Sequence, residues 1–328
     1  MPKPTDIRIC DARASTQYFK YRAPVKFGGR TVTDVVLLDV IVDVETRDGR
    51  CGRGFGSMPV GNIWAWPSQK VATEQTLAAM IDFGQRLVQR ANEYHAVADP
   101  LAITHELLSD QKSEADSITR ESSLAEPMPR LAQLVAASPL EAAIHDAYGK
   151  ALGQNSYNLL GPEFVSSDLS TYLTPEFAGE YLDRYTLREP KPRMPLYHLI
   201  GALDPLTDAD IATRLNDRLP ETLGEWIAAD GLTHLKIKLA GDDLTWDIER
   251  VLAIERVAAE AQAARGCREW HYSADFNERC PNVEYLLDFL ARVKERSPAA
   301  LARLQYIEQP TARDLRANPE NRMHAAAR

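Results

Sequence analysis

The chain has only four cysteines in 328 residues. Cys10, Cys51, Cys267 and Cys280 show neither a paired metal-binding spacing nor the density of a disulfide framework. There is no basic surplus: a net charge of −9 leaves no excess lysine and arginine to neutralise phosphates, which argues against a general nucleic-acid binder. Long apolar runs are also missing. The longest, Val35 to Val44, is broken by Asp39 and Asp43 and cannot span a membrane. The opening Met1-Pro2-Lys3-Pro4-Thr5-Asp6 lacks the apolar stretch of a signal peptide, so a cytoplasmic location is expected. Gly52-x-Gly54-x-Gly56 is no dinucleotide fingerprint, because no βαβ unit or distal acidic residue follows it in register. At 45% hydrophobic and 26% charged residues, the composition is that of a globular chain with room for two domains.

Three short strings carry the chemistry: Lys236-Ile237-Lys238, Asp275-Phe276-Asn277 and Ile307-Glu308-Gln309-Pro310. Each ends a strand-like run and opens on a helical segment. Lys238 precedes Asp275 by 37 residues, and Asp275 precedes Glu308 by 33. That is close to one strand-plus-helix unit, about 30 residues when eight units fill a ~250-residue barrel. Parallel barrel strands aim their C-terminal ends at a common mouth, so two lysines and two carboxylates are expected to converge there. Alternation puts His234, Lys236 and Lys238 on one strand face and Leu235, Ile237 and Leu239 on the other. The next strand repeats this, with Ser273, Asp275 and Asn277 opposite Tyr272, Ala274 and Phe276. Inward lysines are costly unless solvated or paired with carboxylates. Lysines guarding an edge strand are the plainer explanation of that pair alone, and helix-capping carboxylates the plainer one for Asp275 and Glu308. The combination favours a site.

The rest of the chain sets the frame. Ile7 to Ala12 and Val32 to Thr46 are expected as strands, with a hairpin turn at Asp48-Gly49. Helices are expected from Ser68 to Glu93, from Asp99 onward, and from a capping box at Ser138 and Glu141 to about Leu152. Pro190, Pro192 and Pro195 discourage regular structure before a run of βα units. Strands are expected near 196–200, 233–239, 270–275 and 304–308, with a helix over Trp246 to Ala261. Four such units do not close an eight-stranded barrel.

On these residues the chain resembles the enolase superfamily, in particular its mandelate racemase-like and muconate-lactonizing branches, which include dipeptide epimerases. The resemblance rests on the three strings and on Ser138-Pro139-Leu140-Glu141-Ala142-Ala143-Ile144-His145-Asp146-Ala147, leading into Gly149-Lys150 and Leu159-Leu160-Gly161. It covers nearly the whole chain. It implies an α+β capping domain over 1–162, a connector over 163–195, and the first half of a TIM-type (β/α) barrel over 196–328. The implied chemistry is abstraction of a proton α to a carboxylate, as in a racemase, epimerase or cycloisomerase. An acid-sugar dehydratase and a non-catalytic remnant are the alternatives.

The same resemblance makes Lys238 the base and Lys236 its neighbour, whose like charge lowers the base's pKa. Asp275 and Glu308 become ligands of Mg2+, with Mn2+ as substitute, and Asn277 touches the ligand or a metal-bound oxygen. Phe55 and Trp64, at the loops Lys26–Arg30 and Gly54–Pro59, whose glycines are expected to make them mobile, are expected to cover a small carboxylate-bearing substrate. A homo-oligomer without nucleic-acid or membrane partners is expected. The family's third metal-binding carboxylate and its opposing acid–base group fall beyond Arg328, so a truncated gene product is expected.

Overall fold

A computed structural model of the protein describes residues 2–27 and 30–323, the side chain of Phe27 excepted. The chain divides into two compact units. One comprises the residues up to Arg22 together with Thr33–Lys191; the other comprises Ala23–Val32 together with the chain from Pro192 onward.

The first unit is built on β1 (Ile7–Phe27), β2 (Arg30–Thr46) and β3 (Cys51–Pro59), neighbours in that order in one antiparallel sheet. The stretch of β1 from Ala23 and that of β2 up to Val32 fall in the second unit. Gly49 closes the β2–β3 turn at φ 87°, a conformation that strains any residue with a Cβ. Alternation along β2 buries Leu38, Val40, Val42 and Val44 on one face. Five helices complete the unit: α1 (Asn62–Ala65), α2 (Thr73–Asn92), α3 (Pro100–Leu107), α4 (Gln111–Glu121) and α5 (Arg130–Leu152). On α2, Met80, Phe83, Leu87 and Ala91 repeat every three or four residues and form the buried stripe.

Two expectations need correction here. The Gly54–Pro59 segment is not a mobile loop but part of β3, paired with β2 from Leu37↔Pro59 to Glu45↔Cys51. Its glycines let α5 lie directly on the strand: a Cβ at Gly54 would stand 1.9 Å from the carbonyl oxygen of Ala143. Helix α5 also begins eight residues before the expected cap, with Pro139 inside it. A proline there cannot bond the carbonyl of Val135, and the Ser138 hydroxyl donates to that carbonyl instead, at 2.9 Å. The Ser-Pro pair that resembles a helix start is a repaired helix interior. Beyond it, Leu169–Thr171, Pro175–Phe177 and Leu182–Arg184 form only short 3-10 turns.

In the second unit, strands and helices alternate: β4 (Tyr197–Ile200), α6 (Leu223–Asp230), β5 (His234–Lys238), α7 (Leu244–Ala264), β6 (His271–Asp275), α8 (Val283–Arg296), α9 (Pro298–Arg303) and β7 (Leu304–Glu308). The strands form one parallel sheet in the order β4-β5-β6-β7. Leu235, Ile237, Tyr272 and Ala274 face the helices and share a core with Ile227 of α6, Ile254 of α7 and Phe289 of α8. Full burial of a side chain such as Phe289 is worth about 1.5–3 kcal/mol. Helix α6 starts on a capping box between Thr222 and Glu225, and α7 on Asp243, which accepts from the Trp246 N–H at 3.0 Å. After β7 the described residues contain only the 3-10 turn Pro319–Asn321 where a covering helix was expected. No described helix is long and apolar enough to cross a membrane.

Candidate functional site

The parallel register stacks the polar side chains of the second unit in rows on the face away from the helices. Lys238 pairs with Asp275 and Asp275 with Glu308, so one row crosses the C-terminal ends of β5, β6 and β7. One step back, Lys236 is level with Ser273, and Ser273 with Tyr306. A further step back, His234 faces His271 with ring centroids 5.0 Å apart. His234 therefore lies away from the charged row, and His198 packs on Trp226.

Lys236, Lys238 and Asp275 are buried, at 6%, 5% and 1% exposure, yet none is without a partner. The Lys238 ammonium donates to Asp275 Oδ2 and, at 2.8 Å, to Asn277 Oδ1. That of Lys236 lies 3.0 Å from the same Asp275 oxygen and donates to Glu308 Oε2 at 2.6 Å. Asp275 Oδ1 accepts from the Asn277 backbone N–H at 2.9 Å. Neither carboxylate serves as a helix cap, and both lysines face the polar side of the sheet, paired as such a position demands. The ring of Tyr197 lies 5.4 Å from Lys236 Nζ. Sequence reading missed Tyr197, although its register, two residues before Leu199 opposite Lys236, follows from the alternation of β4.

These contacts split the two lysines. Burial lowers the pKa of Lys238 below its ordinary value, overcoming the pull of Asp275, with Lys236 lowering it further. Burial also acts to lower Lys236, but its bonds to Glu308 and Asp275 outweigh that effect and raise it. Asp275 would be raised by burial, yet the two ammonium groups hold it below the usual carboxylate range. The neighbouring ammonium lowers Lys238 as expected, and desolvation, which was not anticipated, is the larger cause.

Beside Lys238 and Asn277 a cavity of 390 Å³ opens, lined also by Trp246, Asp242 and Arg279, with Lys26 from the hairpin segment of the same unit. Gly28 and Gly29 lie outside the described residues. Phe55 and Trp64 belong to the first unit. Phe55 is 51% exposed on β3, and its N–H donates to Asp146 at 2.9 Å. Trp64 packs against the first unit's core and Trp66 is buried in it. Among the described residues, no group of three or more His, Cys, Asp or Glu is placed to hold a metal ion. Asp275 and Glu308 do supply oxygens from paired positions of neighbouring strands, the donor type a hard divalent cation takes.

No protein-family model and no curated protein matches the chain. Solved structures do. A mandelate racemase/muconate lactonizing protein from Herpetosiphon aurantiacus matches at TM-score 0.53 and 19% identity, over 95% of this chain and 63% of that one. Over the matched part the fold is that of the Herpetosiphon protein. A dipeptide epimerase from Methylococcus capsulatus, complexed with Mg and the dipeptide L-Arg-D-Lys, matches at TM-score 0.52 and 20% identity, over 93% of this chain and 62% of that one. L-Talarate/galactarate dehydratase from Salmonella typhimurium LT2 matches at TM-score 0.52 and 15% identity, over 94% and 59%. The chain thus spans about three-fifths of the length of the solved structures it matches.

Proposed function

We propose that the protein belongs to the enolase superfamily and abstracts a proton α to a carboxylate, with Lys238 as the base. The observation that carries this reading is the row of Lys238, Asp275 and Glu308 across the C-terminal ends of three successive parallel strands, with Asn277 bonded to the lysine. In this reading the four-stranded sheet is the first half of a (β/α) barrel, whose active sites lie at that end of the strands. The depressed pKa of Lys238 supports the role, since a base must be free of its proton near working pH. Lys236, held protonated by Asp275 and Glu308, keeps a positive charge beside the reacting centre and discourages protonation of Lys238. Epimerisation and dehydration share this first step, and the proposal stands at that level.

Asp275 and Glu308 fit magnesium as oxygen donors, since that ion uses one or two carboxylates and keeps several waters. When bound, it supplies positive charge opposite the charge that develops on a substrate carboxylate. Both ammonium partners of Asp275 sit on Oδ2, so a bound ion would share the carboxylate's charge with the two lysines. Asn277 would orient the Lys238 amine through the 2.8 Å bond.

The test is proton exchange. Dipeptides and α-hydroxy acids are incubated with the protein in D2O with magnesium, and deuterium at the α-carbon is followed by NMR. Exchange that disappears in Lys238→Ala and persists, with altered pH dependence, in Lys236→Ala supports the assignment. Exchange retained by Lys238→Ala but lost in Lys236→Ala reverses the two roles.

A further inference from the structure

Three residues in the turns after β6 and β7 take left-handed backbone although none is glycine: Asn277 at φ 50°, Glu278 at φ 65° and Gln309 at φ 39°. Such a conformation is unfavourable for residues with a Cβ and persists only where the surroundings hold it. Here the holding groups are identifiable. The Glu278 N–H donates to the Gln309 carbonyl at 2.7 Å, and the Cys280 N–H to the Pro310 carbonyl at 2.9 Å. The Glu278 carboxylate meets Arg313 three ways. Its Oε2 accepts from Arg313 Nε at 2.7 Å and from the Arg313 backbone N–H at 3.3 Å, while Oε1 lies 2.7 Å from a terminal guanidinium nitrogen. The carboxylate is largely shielded, at 16% side-chain exposure. A two-pronged arginine–carboxylate pair with that shielding has a fixed geometry that a solvated surface pair lacks.

The turn so fastened is the one that carries Asn277. Two successive left-handed residues reverse the chain just past Asp275. The Asn277 N–H thereby meets Asp275 Oδ1, while its amide oxygen meets Lys238. Arg313 follows Glu308 by five residues, so the same ion pair ties the turn after β6 to the segment leading away from Glu308.

We propose that Glu278 and Arg313 are a positioning pair, which holds the strained Asn277 turn and so keeps the amide oxygen on Lys238. The inference concerns how one lysine is held, and it stands or falls independently of whether the protein abstracts α-protons.

Trace acetylation of the whole protein with acetic anhydride at one fixed pH, followed by digestion and tandem mass spectrometry, gives the labelling of Lys238 relative to Lys236 in the same molecules. With the amide oxygen withdrawn, Lys238 is freer to meet the reagent. Glu278→Gln and Arg313→Gln should each raise the ratio about three- to tenfold, the fold-change of one lost hydrogen bond, as Asn277→Ala does directly. The reciprocal double variant Glu278→Arg/Arg313→Glu should bring it back toward wild type, which a general loosening of the fold would not do. Arg313→Lys keeps the charge without the fork and should fall between, and it serves if the glutamine variants do not fold. The proposal is overturned if the folded single variants leave the ratio unchanged while Asn277→Ala raises it. It is equally overturned if the double variant restores nothing.

Discussion

Lys236 donates to Glu308 at 2.6 Å although β6 separates their strands and the two residues stand in different rows of the sheet. The side chain crosses Asp275 on the way and contacts it at 3.0 Å. One ammonium therefore engages both carboxylates proposed to hold a metal ion, and ion pairing competes with metal for the same oxygens.

Removing that competitor should strengthen metal binding. Glu308 is about one-third exposed, so its pair with Lys236 is worth no more than ~1 kcal/mol after solvent screening. Magnesium affinity of Lys236→Ala should rise by up to about fivefold over wild type, the equivalent of that energy. Titration calorimetry measures it. Weaker binding in the variant would mean that Lys236 supports the metal site rather than competing with it.

Loss of Lys238 should be more damaging to the fold than loss of Glu308. Asp275 is 1% exposed, and without Lys238 it keeps Lys236 as ion-pair partner and the Asn277 N–H as donor. Breaking a buried pair by removing one partner costs about 3–5 kcal/mol, so Lys238→Met should lower the urea midpoint of the second unit clearly. Glu308→Gln should cost about 1 kcal/mol or less. Equal effects of the two substitutions would show that burial does not govern this network.

The acid limb of stability follows from Asp275. Its folded pKa lies below the ordinary 3.8 because Lys238 and Lys236 favour the carboxylate over the opposing effect of burial. A depressed carboxylate stabilises the folded state fully above the unfolded pKa, and that contribution fades as pH falls through the folded value. Thermal unfolding of the second unit should lose stability progressively below about pH 4. Asp275→Asn should flatten this part of the profile while lowering stability at neutral pH. An unchanged acid slope in the variant would place the titrating group elsewhere.

The glycines of β3 give a prediction about packing. Gly54→Ala would drive a Cβ to within 1.9 Å of the Ala143 carbonyl, which belongs to helix backbone and cannot swing aside. A loss of about 3 kcal/mol or more is expected, in the upper range for single substitutions. Gly49→Ala meets open space and suffers only from its φ of 87°, at about 1–2 kcal/mol. Thermal melts of the two variants provide the comparison, and an equal loss would contradict the close strand–helix contact.

The sequence made the second unit more legible than the first. Alternation through Leu235, Ile237, Tyr272 and Ala274 marks helix-facing positions and puts Lys236, Lys238, Ser273 and Asp275 on the opposite face, where the parallel register sets Lys238 beside Asp275. Strand β1 was visible only to Ala12. Beyond it Tyr18, Phe19 and Tyr21 are exposed, so no buried stripe signals the strand. The start of α5 was hidden by Ser138-Pro139, whose hydroxyl repair of the Val135 carbonyl leaves no compositional trace. The Glu278–Arg313 tie was invisible for a similar reason. Left-handed turns usually announce themselves with glycine, and Asn277-Glu278 does so only through asparagine.

The charged row also bears on how a ligand arrives. Lys236 and Lys238 are balanced by Asp275 and Glu308, so the cluster projects little field, while the chain as a whole carries −9. An anionic molecule approaching from beyond a Debye length, ~8 Å at physiological salt, meets the repulsion of the whole surface before it meets either lysine. Encounter with the proposed carboxylate substrate would therefore be opposed at long range. Its rate should increase as ionic strength screens the surface, the reverse of the salt dependence of a site that gathers anions by electrostatic steering.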